Sequence, residues 1–208
     1  MLAFLGNPAL AISWAIAVIV GLTIHEYAHA KRAQLAGDPT PEHFGRVTLN
    51  PLAHWDLIGT TMMLLFRVGW GKPVPINPLL MRRPRYDNLM TSAWGAFANL
   101  IAVVVFGLAI RLCLFLERGL DYLMLLNALV MVNLIFAFFN LLPIYPLDGS
   151  HILVSLLPLP AAQKLELFYH RFGMLLLILV VVSGVAWMVI SIPMSIIYTV
   201  LTGIPLHF

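Results

Sequence analysis

The stretch TIHEYAHAKR, residues 23–32, closes the first apolar run of the chain. It places His25, Glu26 and His29 directly before Lys31 and Arg32, after 24 residues free of Asp, Glu, Lys and Arg. Residues four apart stack on one face of a helix. His25 and His29 therefore present two imidazoles one turn apart, the spacing that chelates one metal ion. Glu26 stands beside them, within reach of a metal-bound water. HExxH on a helix is the zinc pattern of two ligands and a general base. Zinc lowers the pKa of its bound water to about 7 and so supplies a nucleophile for an amide carbonyl. Ionisable side chains in an apolar helix are costly and mark function. At about 1.5 Å per residue, His25 lies about 9 Å from Lys31, which buries the site within two turns of one interface.

The 208 residues are 61% hydrophobic and 10% charged, with a mean hydropathy of +0.94. Soluble domains are about 25% charged, so this is a membrane protein of one domain spanning 1–208. Charge-free runs at 1–24, 88–110, 122–147 and 172–208 give four candidate spans. These predict an all-α polytopic protein with helices at about 8–36, 87–112, 121–157 (broken near 141–148) and 171–202. The first run has no basic segment before it and the polar motif follows at once, unlike a signal peptide. Of the 12 Lys and Arg, all but Arg111 and Arg118 fall in 31–87 or 159–171. That asymmetry places those segments in the cytoplasm, and with them the active site near the cytoplasmic face, most simply of a cell membrane. Both ends of the chain then lie outside after four crossings. The net charge of +3 has the same origin and signals no nucleic-acid partner. Cys113, the single cysteine, reads as a packing residue.

Residues 43–82 begin and end on the same side. Two β-prone stretches, GRVTLN (45–50) and GKPVPIN (71–77), flank the apolar WDLIGTTMMLLF (55–66). The segment is expected to form a re-entrant or β-hairpin element against the cytoplasmic side of the bundle, covered by protein or lining a wet cavity. Asn50 and Asn77 precede prolines as turn residues do. His54 and Asp56 read as interfacial hydrogen-bonding residues rather than a second metal pair. Trp70 and Trp94 suit a membrane belt or packing.

A catalytic zinc takes three protein ligands and keeps one position open. The third could come from His43, His54, Asp56, Asp148, His151 or His170. Asp148 stands out in NLLPIYPLDGSHIL, residues 140–153. A helix over 122–147 would be about 39 Å long, too long for a hydrocarbon core of about 30 Å. Pro143 and Pro146 break it, and Gly149 loosens it further. Asp148 can then reach the depth of the histidines. It could equally cap the helix that follows, and His151 is a second candidate from the same turn.

Together HEYAH, GRVTLNPLAHWDLIGT, GKPVPINP and NLLPIYPLDGS resemble the site-2 protease family of intramembrane zinc metalloproteases, over residues 20–157. The resemblance implies a three-helix catalytic core plus one added span, with no appended sensor or binding domain. It implies one Zn2+ per chain held by His25, His29 and Asp148, with Glu26 as general base. The implied activity is endoproteolysis of transmembrane segments within the bilayer, as in regulated intramembrane proteolysis. Where the family carries Gly-Pro then Asn, this chain reads GAFAN (95–99), keeping Gly95 and Asn99 and placing Ala96 where Pro is usual. Gly95 allows close helix approach. Asn99 could donate to an oxyanion or bridge two helices. Asn140 is a similar candidate, or satisfies backbone freed by Pro143. A membrane metal-ion transporter is the alternative reading of the same ligands, although it would place them at the midplane and often repeat its halves.

Overall fold

The computed structural model describes residues 7–66, 69–117 and 120–206. Arg67 and Arg118, two of the charges used to orient the chain, lie outside the described residues. The elements are helical: α1 Pro8–Ala36, α2 Thr40–His43, α3 Gly59–Phe66, α4 Pro84–Phe115, α5 Leu120–Asn140, α6 Asp148–Leu156, α7 Leu159–Val182 and α8 Val185–Thr202. Single 3₁₀ turns cover Pro51–Ala53 and Pro78–Leu80. Five of the helices (α1, α4, α5, α7 and α8) are long and apolar enough to cross a membrane.

Helix boundaries follow local chemistry. Asn7 accepts a hydrogen bond from Leu10 N and Pro8 occupies the first turn, where its missing N–H costs nothing. α1 ends where Gly37 takes φ 104°, with Gly37 N and Asp38 N closing onto Gln34 O and Ala33 O. Pro84 opens α4 in the same way. There Asp87 accepts from Arg83 N at 2.9 Å and pairs with Arg32 at 3.0 Å, tying α4 to α1.

α1, α4 and α5 form the core. His25 faces Asn99 and His29 faces Thr91, so α1 and α4 are antiparallel. Ala17 and Val18 of α1 pack on Leu129 and Val132 of α5. α8 packs on α4 and α5. Its Ile190, Met194 and Tyr198 join Val103, Ile110, Val130 and Leu134 in a second apolar cluster. Arg111 caps its last turn by donating to Val200 O at 2.7 Å.

Two expectations need correction. Residues 171–202, read as one span, belong to two helices divided at Ser183 and Gly184, the latter with φ 77°. The break falls inside an uncharged apolar run, where hydropathy has no contrast to register it. The second concerns residues 43–82. No strand occurs among the described residues, and the stretches 45–50 and 71–77 are irregular. Their contact is a side chain, not a ladder: the Arg46 guanidinium donates to Lys72 O and Pro73 O. The apolar piece between them does fold back on itself. Lys72 N reaches His54 O at 2.9 Å, and α3 pushes Met63 against Ala17 and Val18. That contact lies seven residues of α1 from His25, about 10 Å deeper along the helix.

Candidate metal centre

His25 and His29, on successive turns of α1, are both buried. Their Nε2 atoms are 3.0 Å apart, and Asp148 Oδ2 lies 3.1 Å from the first and 3.2 Å from the second. The other ring nitrogens decide the tautomers. His25 Nδ1 meets Asn99 Oδ1 at 2.6 Å, and His29 Nδ1 meets Thr91 O at 2.7 Å. Both partners are carbonyl oxygens and can only accept, so both Nδ1 atoms carry the proton. The Asn99 amide is oriented by its own donors, since Nδ2 gives to Gly21 O at 3.0 Å and to Asn133 Oδ1 at 2.7 Å. With Nδ1 engaged in each ring, Nε2 is the atom left to ligate, and both Nε2 atoms are aimed at each other and at a carboxylate oxygen. Two imidazole nitrogens and a carboxylate oxygen so close together call for a cation among them, a proton or a metal ion. Tetrahedral zinc with bonds of about 2.0–2.1 Å holds its ligand atoms about 3.3 Å apart, close to the spacing found. The donor set and its outer hydrogen bonds fit the metal.

Asp148 arrives by the break after α5. α5 stops at Asn140, the chain turns through Pro143 and Pro146, and α6 begins with Asp148 as its first residue. The cap position of α6 belongs to Leu147, which makes no side-chain cap bond, so the Asp148 carboxylate is turned to the histidines and not spent on the helix. Tyr169 of α7 steadies the broken segment by donating to Pro143 O at 2.7 Å. Gly95 supplies the remaining wall. A Cβ built there would lie 2.7 Å from His25 Cε1, so any side chain would enter the ligand cluster.

The other candidates are placed elsewhere. His54 is buried and donates to Thr48 O at 2.9 Å, while Asp56 caps α3 by accepting from Ile58 N and Gly59 N. His43, His151 and His170 are exposed. Asn99 has both amide donors committed to protein partners, which makes it a bridge across α1, α4 and α5 and leaves it no donor for an oxyanion. Asn140 donates back to Phe136 O at 2.9 Å within its own helix. Two contributors went unseen in the sequence: the carbonyl of Thr91 and the amide of Asn133. A backbone carbonyl leaves no trace in residue identity. Asn133, however, is a polar residue in the charge-free run 122–147 and carried the same signal as Asn99.

These helices and this cluster define a membrane metalloprotease. The family model for peptidase family M50 matches residues 115–181, a range that holds Asp148. A Bacillus subtilis (strain 168) protein named "Putative zinc metalloprotease YwhC" is 36% identical over 151 residues, covering 69% of this chain and 68% of that one. The chain belongs to peptidase family M50, the site-2 protease family, and its cofactor is zinc. No solved structure matches it.

Proposed function

We propose that this chain is an intramembrane endopeptidase that cuts transmembrane segments of other membrane proteins, acting as one membrane-embedded domain with its active site near the cytoplasmic face of a cell membrane. The observation that carries the proposal is the meeting of two imidazoles and a carboxylate on one buried point, with Glu26 adjacent on the same helix. His25, His29 and Asp148 hold the zinc. Once bound, the metal activates water and polarises the peptide carbonyl. Glu26 accepts the proton of the attacking water and returns it to the leaving amide nitrogen. Asn99 and Thr91 keep the two rings turned so that Nε2, not Nδ1, faces the metal.

Backbone amides of a helical substrate are shielded by their own hydrogen bonds, so the segment must be unwound before attack. Residues 71–77 offer a support by β-addition. Pro73 and Pro75 have no N–H, which restricts pairing to the edge carrying Val74 and Ile76. Proline substitution at Val74, Ile76 or Asn77, or across 46–49, should impair cleavage while sparing zinc content. Unchanged cleavage removes the clamp from the scheme.

The deciding experiment incubates purified protein in detergent with a panel of single-span substrates, beside Glu26→Gln, with zinc measured in both. Cleavage by the wild type alone, with zinc in both, supports the protease and its base. Zinc in both with cleavage by neither favours metal transport. Well-folded protein that binds no zinc overturns the ligand set.

A further inference from the structure

Arg46 is an anomaly in the irregular segment. It is 3% exposed, yet it has no carboxylate within ion-pair distance among the described residues. Its backbone is fixed, with Arg46 N donating to Pro41 O at 2.8 Å. Its Nη2 donates to Lys72 O and, at 2.6 Å, to Pro73 O. Its Nη1 is buried and has no hydrogen-bond partner. Burial pushes the guanidinium down from its ordinary value, and the Glu26 carboxylate is the charge that pulls it back. A buried guanidinium with one nitrogen left without an acceptor is expensive. The loop it grips lies against α1 about one turn before His25, where a Cβ on Gly71 would meet Leu22 Cδ1 at 2.5 Å.

Resting on the protease reading, we infer that Arg46 is a substrate-holding residue: Nη2 locks the 72–73 backbone while Nη1 donates to a main-chain carbonyl of the unwound substrate beside the metal centre. A main-chain carbonyl is the acceptor an extended peptide always brings, whatever its side chains. The planar fork lets one side chain serve the loop and the substrate together, which an ammonium cannot do with the same geometry. The contact is made only after unwinding, so it favours the extended form over the helix.

Arg46→Lys is the test, because a lysine keeps the charge and can still donate to the loop carbonyls but has no second nitrogen. Zinc content, Tm, kcat and KM are measured for wild type and Arg46→Lys on one cleavable single-span substrate. Substrate Kd is measured in the uncleaving Glu26→Gln background with and without Arg46→Lys. Zinc and Tm should be retained, while KM and Kd rise about 10- to 100-fold, the worth of one charged hydrogen bond. Arg46→Gln should show the same loss of affinity plus a lower Tm. Unchanged KM and Kd in Arg46→Lys overturn the inference and leave Arg46 as a loop tie, as does a Tm loss in Arg46→Lys that accounts for the lost activity with Kd unchanged. Failure of the wild type to cleave or bind any substrate overturns the protease reading itself.

Discussion

His25 Nδ1 and Asn99 Oδ1 lie 2.6 Å apart between two antiparallel helices, 74 positions apart in the chain. One buried amide thereby orients a candidate metal ligand and joins α1, α4 and α5. Replacing it should therefore disturb metal and fold together. Asn99→Ala is expected to weaken zinc affinity about 10- to 100-fold and to destabilise by about 1–3 kcal/mol, because Gly21 O and Asn133 Oδ1 lose their donor. Zinc titration against a competing chelator, with Tm followed in parallel, checks both. Wild-type zinc affinity in the variant removes Asn99 from the centre.

Gly95 makes a cleaner separation. Alanine is the better helix former by about 1 kcal/mol, so α4 itself should gain from Gly95→Ala. The added Cβ, however, would stand 2.7 Å from His25 Cε1. Zinc occupancy should fall at least tenfold while helix content by circular dichroism is unchanged. Full occupancy would mean that the ligand cluster has room the structure does not show.

Stripping the metal leaves His25 Nε2, His29 Nε2 and Asp148 Oδ2 within 3.2 Å of each other. Chelation should lower Tm, and zinc should restore it, since a ligand bound only by the native state stabilises it. In Asp148→Ala both responses should shrink, because the cluster loses its third ligand. A Tm indifferent to chelator in the wild type argues against a formed site.

Asp87 is buried and joins Arg32 to the start of α4. Asp87→Ala strands a mostly buried guanidinium and uncaps a helix. A loss of about 2–3 kcal/mol, or about 5–10 °C in Tm, is expected. Asp87→Asn keeps the cap acceptor and should lose less. Equal Tm values for the two variants would show that the cap contributes nothing.

Asp38, fully buried, accepts from Thr40 N at 2.9 Å and Asn77 N at 2.7 Å, so it pins residues 71–77 to the end of α1. Asp38→Ala should expose that loop to limited proteolysis and faster amide exchange while zinc content holds. Protection equal to the wild type would place the anchor elsewhere, for instance at Arg46.

Much of the molecule could be read from residue order. The i, i+4 spacing of His25 and His29, the uncharged runs and the prolines that stop α5 all act within a turn or two, where backbone geometry is nearly invariant. Their consequences follow without knowledge of the rest of the chain. Hydropathy could not separate α7 from α8, because Ser183 and Gly184 interrupt a helix without interrupting apolarity; Gly184 was the signal. The β-prone residues 45–50 and 71–77 formed no ladder, since strand propensity needs a neighbouring strand to be realised and Arg46 took the carbonyls instead.

What sequence left open turns on tertiary packing. Asp148 meets His29 across 119 positions, and nothing local chooses between ligand and helix cap for it. The same holds for Asn99, whose donors go to helix partners, and for Arg46, whose burial depends on a loop 26 positions away. A side chain's role is decided by what its last polar atom meets. For helix periodicity that partner lies one turn off; for a metal centre it lies wherever the other helices are packed.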